Sequence, residues 1–187
     1  MNGGGGHVGR NVTANLGHRL DEEGIITLCE ALNRGELRQV NLMAGVLEGQ
    51  GGVWKRIPGD TGEPVEIDSP GGMSFTFFEK VCYVHLLIRW NTFILNKEMQ
   101  EQVRRGVYDL ASYLQASYAI YVSDNEDPES AVLDVLYDDP RRDLDETREW
   151  LRSRFGEPQK HIADLVRQAG EHRVYKGYYI DTFQILK

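Results

Sequence analysis

Two stretches of the chain carry residue types that do chemistry. In "VCYVHLLIRW", residues 81–90, His85 and Arg89 alternate with Tyr83 and Leu87 on one side of an extended strand. Cys82, Val84, Leu86, Ile88 and Trp90 take the other side. A histidine is a base near neutral pH and an arginine can stabilise an oxyanion. With a carboxylate such as Asp124 or Asp181, His85 and Arg89 would therefore suit a hydrolase or transferase. No nucleophile elbow and no metal-ligand spacing accompanies them, so a histidine satisfied on the weaker face of a sheet is the plainer expectation. Asp181, in "GYYIDTFQIL", shares a strand face with Tyr179, Phe183 and Ile185. A charge there either blunts an edge strand or makes hydrogen bonds inside.

The second stretch is "YVSDNEDPESAVLDVLYDDP", residues 121–140, with seven carboxylates. A calcium loop of the EF-hand kind needs a Gly at its sixth position and a Glu at its twelfth, and "DNEDPESAVLDV" has neither. Helix initiation accounts for part of the run: Asp127 can cap, Pro128 suits the first helical position, and Glu129 favours the positive end of the helix dipole. Asp143 and Glu146 have the spacing of a capping box for a following helix. The remainder has no such use. If Val132, Leu133 and Leu136 face the core, then Asp134, Tyr137 and Asp138 share the outer side. Asp134 and Asp138 are then like charges one turn apart, and Asp138 and Asp139 sit at the negative helix end. Arg141 and Arg142 are close enough in sequence to neutralise them. Otherwise Asp124, Glu126, Asp134, Tyr137, Asp138 and Asp139 form a recognition surface for a basic protein.

The charge balance of the whole chain points the same way. The formal net charge is −8 over 187 residues, which disfavours a broad phosphate-binding face and hence nucleic acid. Residues 121–157 alone hold twelve Asp and Glu against five Arg. With 41% apolar and 10% aromatic residues the chain is expected to fold as one domain. Cys29 and Cys82 lie in apolar surroundings far apart, the pattern of buried thiols in a reducing cytoplasm. No cofactor and no metal is expected. The longest apolar run is too short to span a bilayer and is broken by His85 and Arg89.

The elements that must position these residues can be read in outline. "MNGGGGHVGR", residues 1–10, has the composition of a flexible N-terminal segment, and the G-x-x-x-x-G-R-N that begins at Gly4 lacks the Lys and Ser/Thr of a phosphate loop. "LDEEGIITLCEALNRGEL" predicts a helix capped by Asp21 and ended by Gly35. Residues 37–95 read as strands, "LRQVNLMAGVL", "GGVWKRI", "EPVEI", "MSFTFFEK" and "VCYVHLLIRWNTFIL", separated by Gly, Pro and Asp turn clusters. "NKEMQEQVRRGVYDLASYLQA" is a helix with Asn96 as cap and Val103, Val107, Leu110, Ala111 and Leu114 on one stripe. A strand "SYAIYVS", three helices and a closing strand follow. The expected fold is α+β over residues 11–187, an antiparallel meander with helices packed on one side.

The segments "LASYLQASYAIYVSD", "LDETREWLRSRFGEP" and "GYYIDTF" resemble small bacterial immunity-type proteins that partner toxins. The resemblance covers roughly residues 107–183 and implies a cytoplasmic protein that binds and blocks one toxin; taken with the acidic stretch, it gives a non-enzymatic inhibitor that occludes a cognate toxin or enzyme through an acidic surface. It carries over no functional residue. A structural or regulatory subunit is the remaining alternative.

Overall fold

A computed structural model describes residues 11–48, 52–60, 63–69, 71–123, 128–167 and 177–184. The glycine-rich residues 1–10, and Asp124 and Glu126, lie outside the described residues. Among those described, seven strands form one antiparallel sheet: β1 (Asn11–Gly17), β2 (Lys55–Ile57), β3 (Val65–Asp68), β4 (Met73–Phe77), β5 (Val81–Arg89), β6 (Tyr118–Ser123) and β7 (Tyr179–Thr182). The helices are α1 (Glu22–Asn33), α2 (Arg38–Glu48), α3 (Trp90–Leu95), α4 (Lys97–Leu114), α5 (Pro128–Asp138), α6 (Leu144–Phe155) and α7 (Ile162–Arg167). The α+β class read from the sequence is the class of the structure.

The spatial order is β2-β3-β4-β5-β1-β6-β7. Strands β2 to β5 are the expected meander. Strand β1, where the sequence predicts no element, occupies the centre between β5 and β6. Its alternation is Val12, Ala14 and Leu16 against Thr13 and Asn15, and all five are buried. The polar pair bonds across to β6, Thr13 Oγ1 donating to the Val122 carbonyl at 3.1 Å and Asn15 Nδ2 to that of Ile120 at 3.5 Å, while Asn15 Oδ1 has no partner among the described residues.

Two corrections concern segments expected to be extended. The strand predicted from Leu37 is instead helix α2, because Leu37, Val40, Met43 and Ala44 recur at helical spacing and are buried together. Likewise "VCYVHLLIRWNTFIL" does not run on as one strand. It ends at Arg89, whose extended backbone (φ −60°, ψ 131°) starts α3, and Trp90, Phe93 and Ile94 then bury on one helical face.

Helices α1 to α4 and α7 pack on the sheet face that carries Val12, Ala14, Leu16, Cys82, Val84 and Leu86. Every member of the stripe read from the sequence in α4 is buried, each contributing about 1.5–3 kcal/mol for the larger side chains. The helix starts are capped as their sequences indicate. Asp21 accepts from the Gly24 amide at 2.9 Å, Asn96 from Met99 at 3.1 Å, and Asp143 and Glu146 close the reciprocal capping box. A smaller second layer, α5 and α6, covers part of the opposite face with Val132, Leu136, Leu144 and Leu151 against Val81, Tyr83, Ile120 and Val122. Both helices are expected from the sequence, but not on this face: helices cover both sides of the sheet rather than one, and this second layer sets the acidic helix against it.

Candidate functional site

Strand register decides the fate of the histidine and aspartate considered for catalysis. His85 pairs with Thr13 and Ser74, on the sheet face that Thr13 shares with Val122. Asp181 pairs with Ala119, which pairs with Leu16 on the face covered by α1 to α4. Side chains directly opposite one another in a sheet share a face. His85 and Asp181 therefore point to opposite faces, with β1 and β6 between their strands. Arg89 lies on the same side as His85 but is exposed at the end of β5. The structure does not bring His85, Arg89 and Asp181 together.

Asp181 has another occupation. It is 7% exposed, and both its oxygens accept from Arg104 of α4, Oδ2 from Nε at 2.6 Å and Oδ1 from an Nη at 2.9 Å. This is the fork geometry that suits a guanidinium to a carboxylate. The hydrogen bond to Asp181 raises the Arg104 pKa above its ordinary value. The Tyr121 hydroxyl, fully buried beside this pair, is pushed upward by burial and by the charge of Asp181. The aspartate on the apolar face of the last strand is thus a buried tether between sheet and helix.

The acidic helix has the orientation inferred from its spacing. Val132 and Leu136 are buried, Leu133 is half-buried, and Asp134, Tyr137 and Asp138 are exposed. Asp139 follows the helix and accepts from the Arg141 amide at 3.3 Å, with the Arg141 guanidinium 3.5 Å away. That ion pair is largely solvent-exposed and holds its partners weakly. Among the described residues no ion pair joins Asp134 or Asp138 to a basic side chain.

Tyr137 connects this helix to the rest of the sheet. Its ring stands edge-on to Phe78, with centroids 5.1 Å apart and planes at 84°. Burial, and after it the negative charges of Glu66 and Glu63, raise the pKa of its hydroxyl. The acidic character of α5 therefore continues onto β3 and the connection before it. No spacing in the sequence announces this, because the residues lie more than sixty positions apart.

The neighbouring end of the sheet holds two adjoining clefts. Here the β1–α1 connection, the β2–β3 connection and the β4–β5 turn meet. The first cleft, about 290 Å³, runs between His18, Asp21, Glu22, Arg56, Glu63 and Glu79 over Phe77. The second, about 260 Å³, lies between Glu63, Pro64, Phe78, Glu79, Tyr137 and Pro140. The β4–β5 turn that separates them is fixed from several sides. The Phe78 amide donates to Val81, the Glu79 amide to Pro140, and the His18 amide to Lys80.

His18, absent from the candidate residues read from the sequence, proves to be part of this brace. Its Nδ1 accepts from the Leu20 amide at 3.1 Å, so the neutral ring carries its proton on Nε2 and donates it to the Phe78 carbonyl at 2.7 Å. Burial lowers its pKa from the ordinary 6.5. With both nitrogens bonded to backbone, His18 holds the turn and has no nitrogen left for a substrate. Within the first cleft Arg56 pairs with Glu22, so that cleft supplies its own cation.

Among the described residues no group of three or more His, Cys, Asp or Glu is placed to hold a metal ion, and no helix is long and apolar enough to cross a membrane. Cys29 and Cys82 are both buried free thiols. Comparison with protein-family models, with curated proteins and with solved structures finds no match.

Proposed function

We propose that this chain is a non-enzymatic binding protein that engages a basic protein partner through the acidic surface of α5 and the adjoining end of the sheet. The most concrete form of this reading is an immunity-type inhibitor, acting in the cytoplasm, that occludes the basic active-site cleft of one toxin or enzyme. The resemblance of the C-terminal half to such proteins is its origin. The observation that supports it is the position of Tyr137. An exposed aromatic ring stands among Glu63, Glu66 and the α5 carboxylates, the combination of anchor and field that suits a basic surface.

The separation of His85 from Asp181 across the sheet weighs against the catalytic alternative. Asp134, Asp138 and Asp139 occupy places where helix electrostatics disfavours carboxylates, which is understandable if they serve a partner. This reading predicts a basic, toxin-like protein encoded beside this chain's gene, and the test uses that protein as the partner. Replacing Asp134, Asp138 and Asp139 together by Asn is expected to slow association about tenfold or more at low salt, and added salt should slow the wild type toward the variant. An association rate unchanged by the replacement at low salt removes α5 from the interface.

A further inference from the structure

We infer that the cleft between the β4–β5 turn and the C-terminal end of α5 is a receptor for a guanidinium group, an arginine side chain presented by the partner. The inference rests on the protein-binding reading and narrows it to one pocket and one side chain.

The two clefts at the sheet end share Glu63 and Glu79, but their charge is settled differently. In the first, Arg56 lies against Glu22 and supplies the guanidinium from within the chain. The second has no basic side chain in its lining. Neither Glu63 nor Glu79 forms an ion pair with a described residue. A cleft of about 260 Å³ is roomy enough for the planar end of an arginine. Its walls offer what that group recognises: two carboxylates to accept its N–H groups, and the half-exposed ring of Tyr137, seated on buried Phe78, with Pro140 for the flat, weakly hydrated face. Tyr137 is 52% exposed although it packs on Phe78, so ring surface remains for a second contact. An ammonium would find the carboxylates equally well, but it is a compact, strongly hydrated charge without a plane to stack.

The floor is also rigid before anything binds. Phe78 and Glu79 sit on a turn held by His18 through the Phe78 carbonyl and by the Glu79 amide on Pro140. A receptor set in advance loses less on binding than one that must be ordered.

The probe is N-acetyl-arginine N-methylamide, titrated into the isotopically labelled full chain and followed by amide chemical shifts. The citrulline and lysine counterparts serve as comparisons. Arginine amide is expected to shift Glu63, Phe78, Glu79 and Tyr137 saturably, with a dissociation constant on the order of millimolar. Citrulline, which keeps the shape without the charge, should leave them unmoved, and lysine should bind several-fold more weakly. The double variant Glu63→Gln, Glu79→Gln should weaken arginine amide about tenfold while leaving the remaining spectrum in place. Tyr137→Leu should remove the preference for arginine over lysine.

Equal response to lysine and arginine, shifts that never saturate, or binding unaffected by the double variant would each overturn the assignment. The variant with Asp134, Asp138 and Asp139 replaced by Asn separates the two proposals. If it still binds arginine amide but associates with the partner at the wild-type rate, the acidic-helix reading fails and the guanidinium cleft stands. If it slows the partner while arginine amide leaves the cleft amides unmoved in the wild type, the cleft fails and the acidic surface stands.

Discussion

Asp181 on the edge strand β7 takes both oxygens to Arg104 of α4, at 2.6 and 2.9 Å, across 77 residues of chain. The carboxylate is almost wholly buried, whereas the arginine side chain is 41% exposed, so the pair is shielded on one side only. Removing the arginine strands a buried charge. Arg104→Ala should therefore destabilise by about 1–3 kcal/mol, below the full cost for a completely buried pair. Asp181→Asn should cost less, since the amide oxygen still accepts from Arg104. A double-mutant cycle in denaturant separates the pair from its surroundings.

His85→Gln is expected to leave the fold, and any activity or protective effect, within a few fold of wild type. A general base contributes about a hundredfold or more, so a loss of that size in a folded variant would restore the catalytic alternative.

Replacing Asp134, Asp138 and Asp139 by Asn should hold or raise thermal stability. The like-charge pair costs about 0.2–0.5 kcal/mol, and the dipole penalty at the helix end is about 0.3–1 kcal/mol. Asn at position 139 keeps an acceptor for the Arg141 amide. A clear drop in melting temperature would mean that these carboxylates support the fold.

His18 makes stability depend on pH in a definite direction. Its folded pKa lies below the ordinary 6.5 because burial disfavours the charged ring. Below 6.5 the unfolded chain therefore takes up a proton that the folded chain refuses. Stability is fully present above that value and is lost as pH falls below it, by at most about 1.4 kcal/mol per pH unit. Denaturant melts of wild type and His18→Gln between pH 7.5 and about 5 should diverge, with the flatter profile in the variant.

Two glycines in helices should respond oppositely. A Cβ at Gly106 of α4 would come within 2.6 Å of Met43 Cε and 3.2 Å of Met43 Cβ on α2, so Gly106→Val should cost about 1–3 kcal/mol. At Gly45 of α2 a Cβ meets nothing within 4 Å, and Gly45→Ala should add about 0.5–1 kcal/mol through helix propensity. Calorimetry of the two variants would show whether α2 and α4 pack as closely as this.

What could be read from the sequence was local. Asp21, Asn96 and the Asp143–Glu146 pair cap helices because a cap needs only residues three positions apart. The stripe from Val103 to Leu114 declared α4 by periodicity, and the outward set Asp134, Tyr137 and Asp138 followed from its neighbours Val132 and Leu136. What escaped was decided at long range or by boundaries without punctuation. No Gly or Pro marks the change from strand to helix between Arg89 and Trp90. Strand β1 carries Thr13 and Asn15 where a buried strand usually shows apolar residues, and they are tolerated through carbonyls more than a hundred residues away. The same holds at the candidate site. Tyr137 was visible as an exposed aromatic, but its neighbours Phe78, Glu63 and Glu66, and the brace at His18, exist only once the sheet has formed.

The central place of β1 has a consequence for how the protein is made. Strand β1 has both its neighbours downstream: β5 ends at Arg89, and the Thr13 hydroxyl finds its acceptor on Val122, 109 residues later. The β2–β5 meander can form from near neighbours and offer β5 to β1, while the other side of β1 stays open until β6 has been made. Sheet closure around β1 then demands the longest loops in the molecule, which slows folding and prolongs exposure of Val12, Ala14 and Leu16 to wrong partners. A strand at the centre of the sheet is thus enclosed on both sides only after most of the chain has been made.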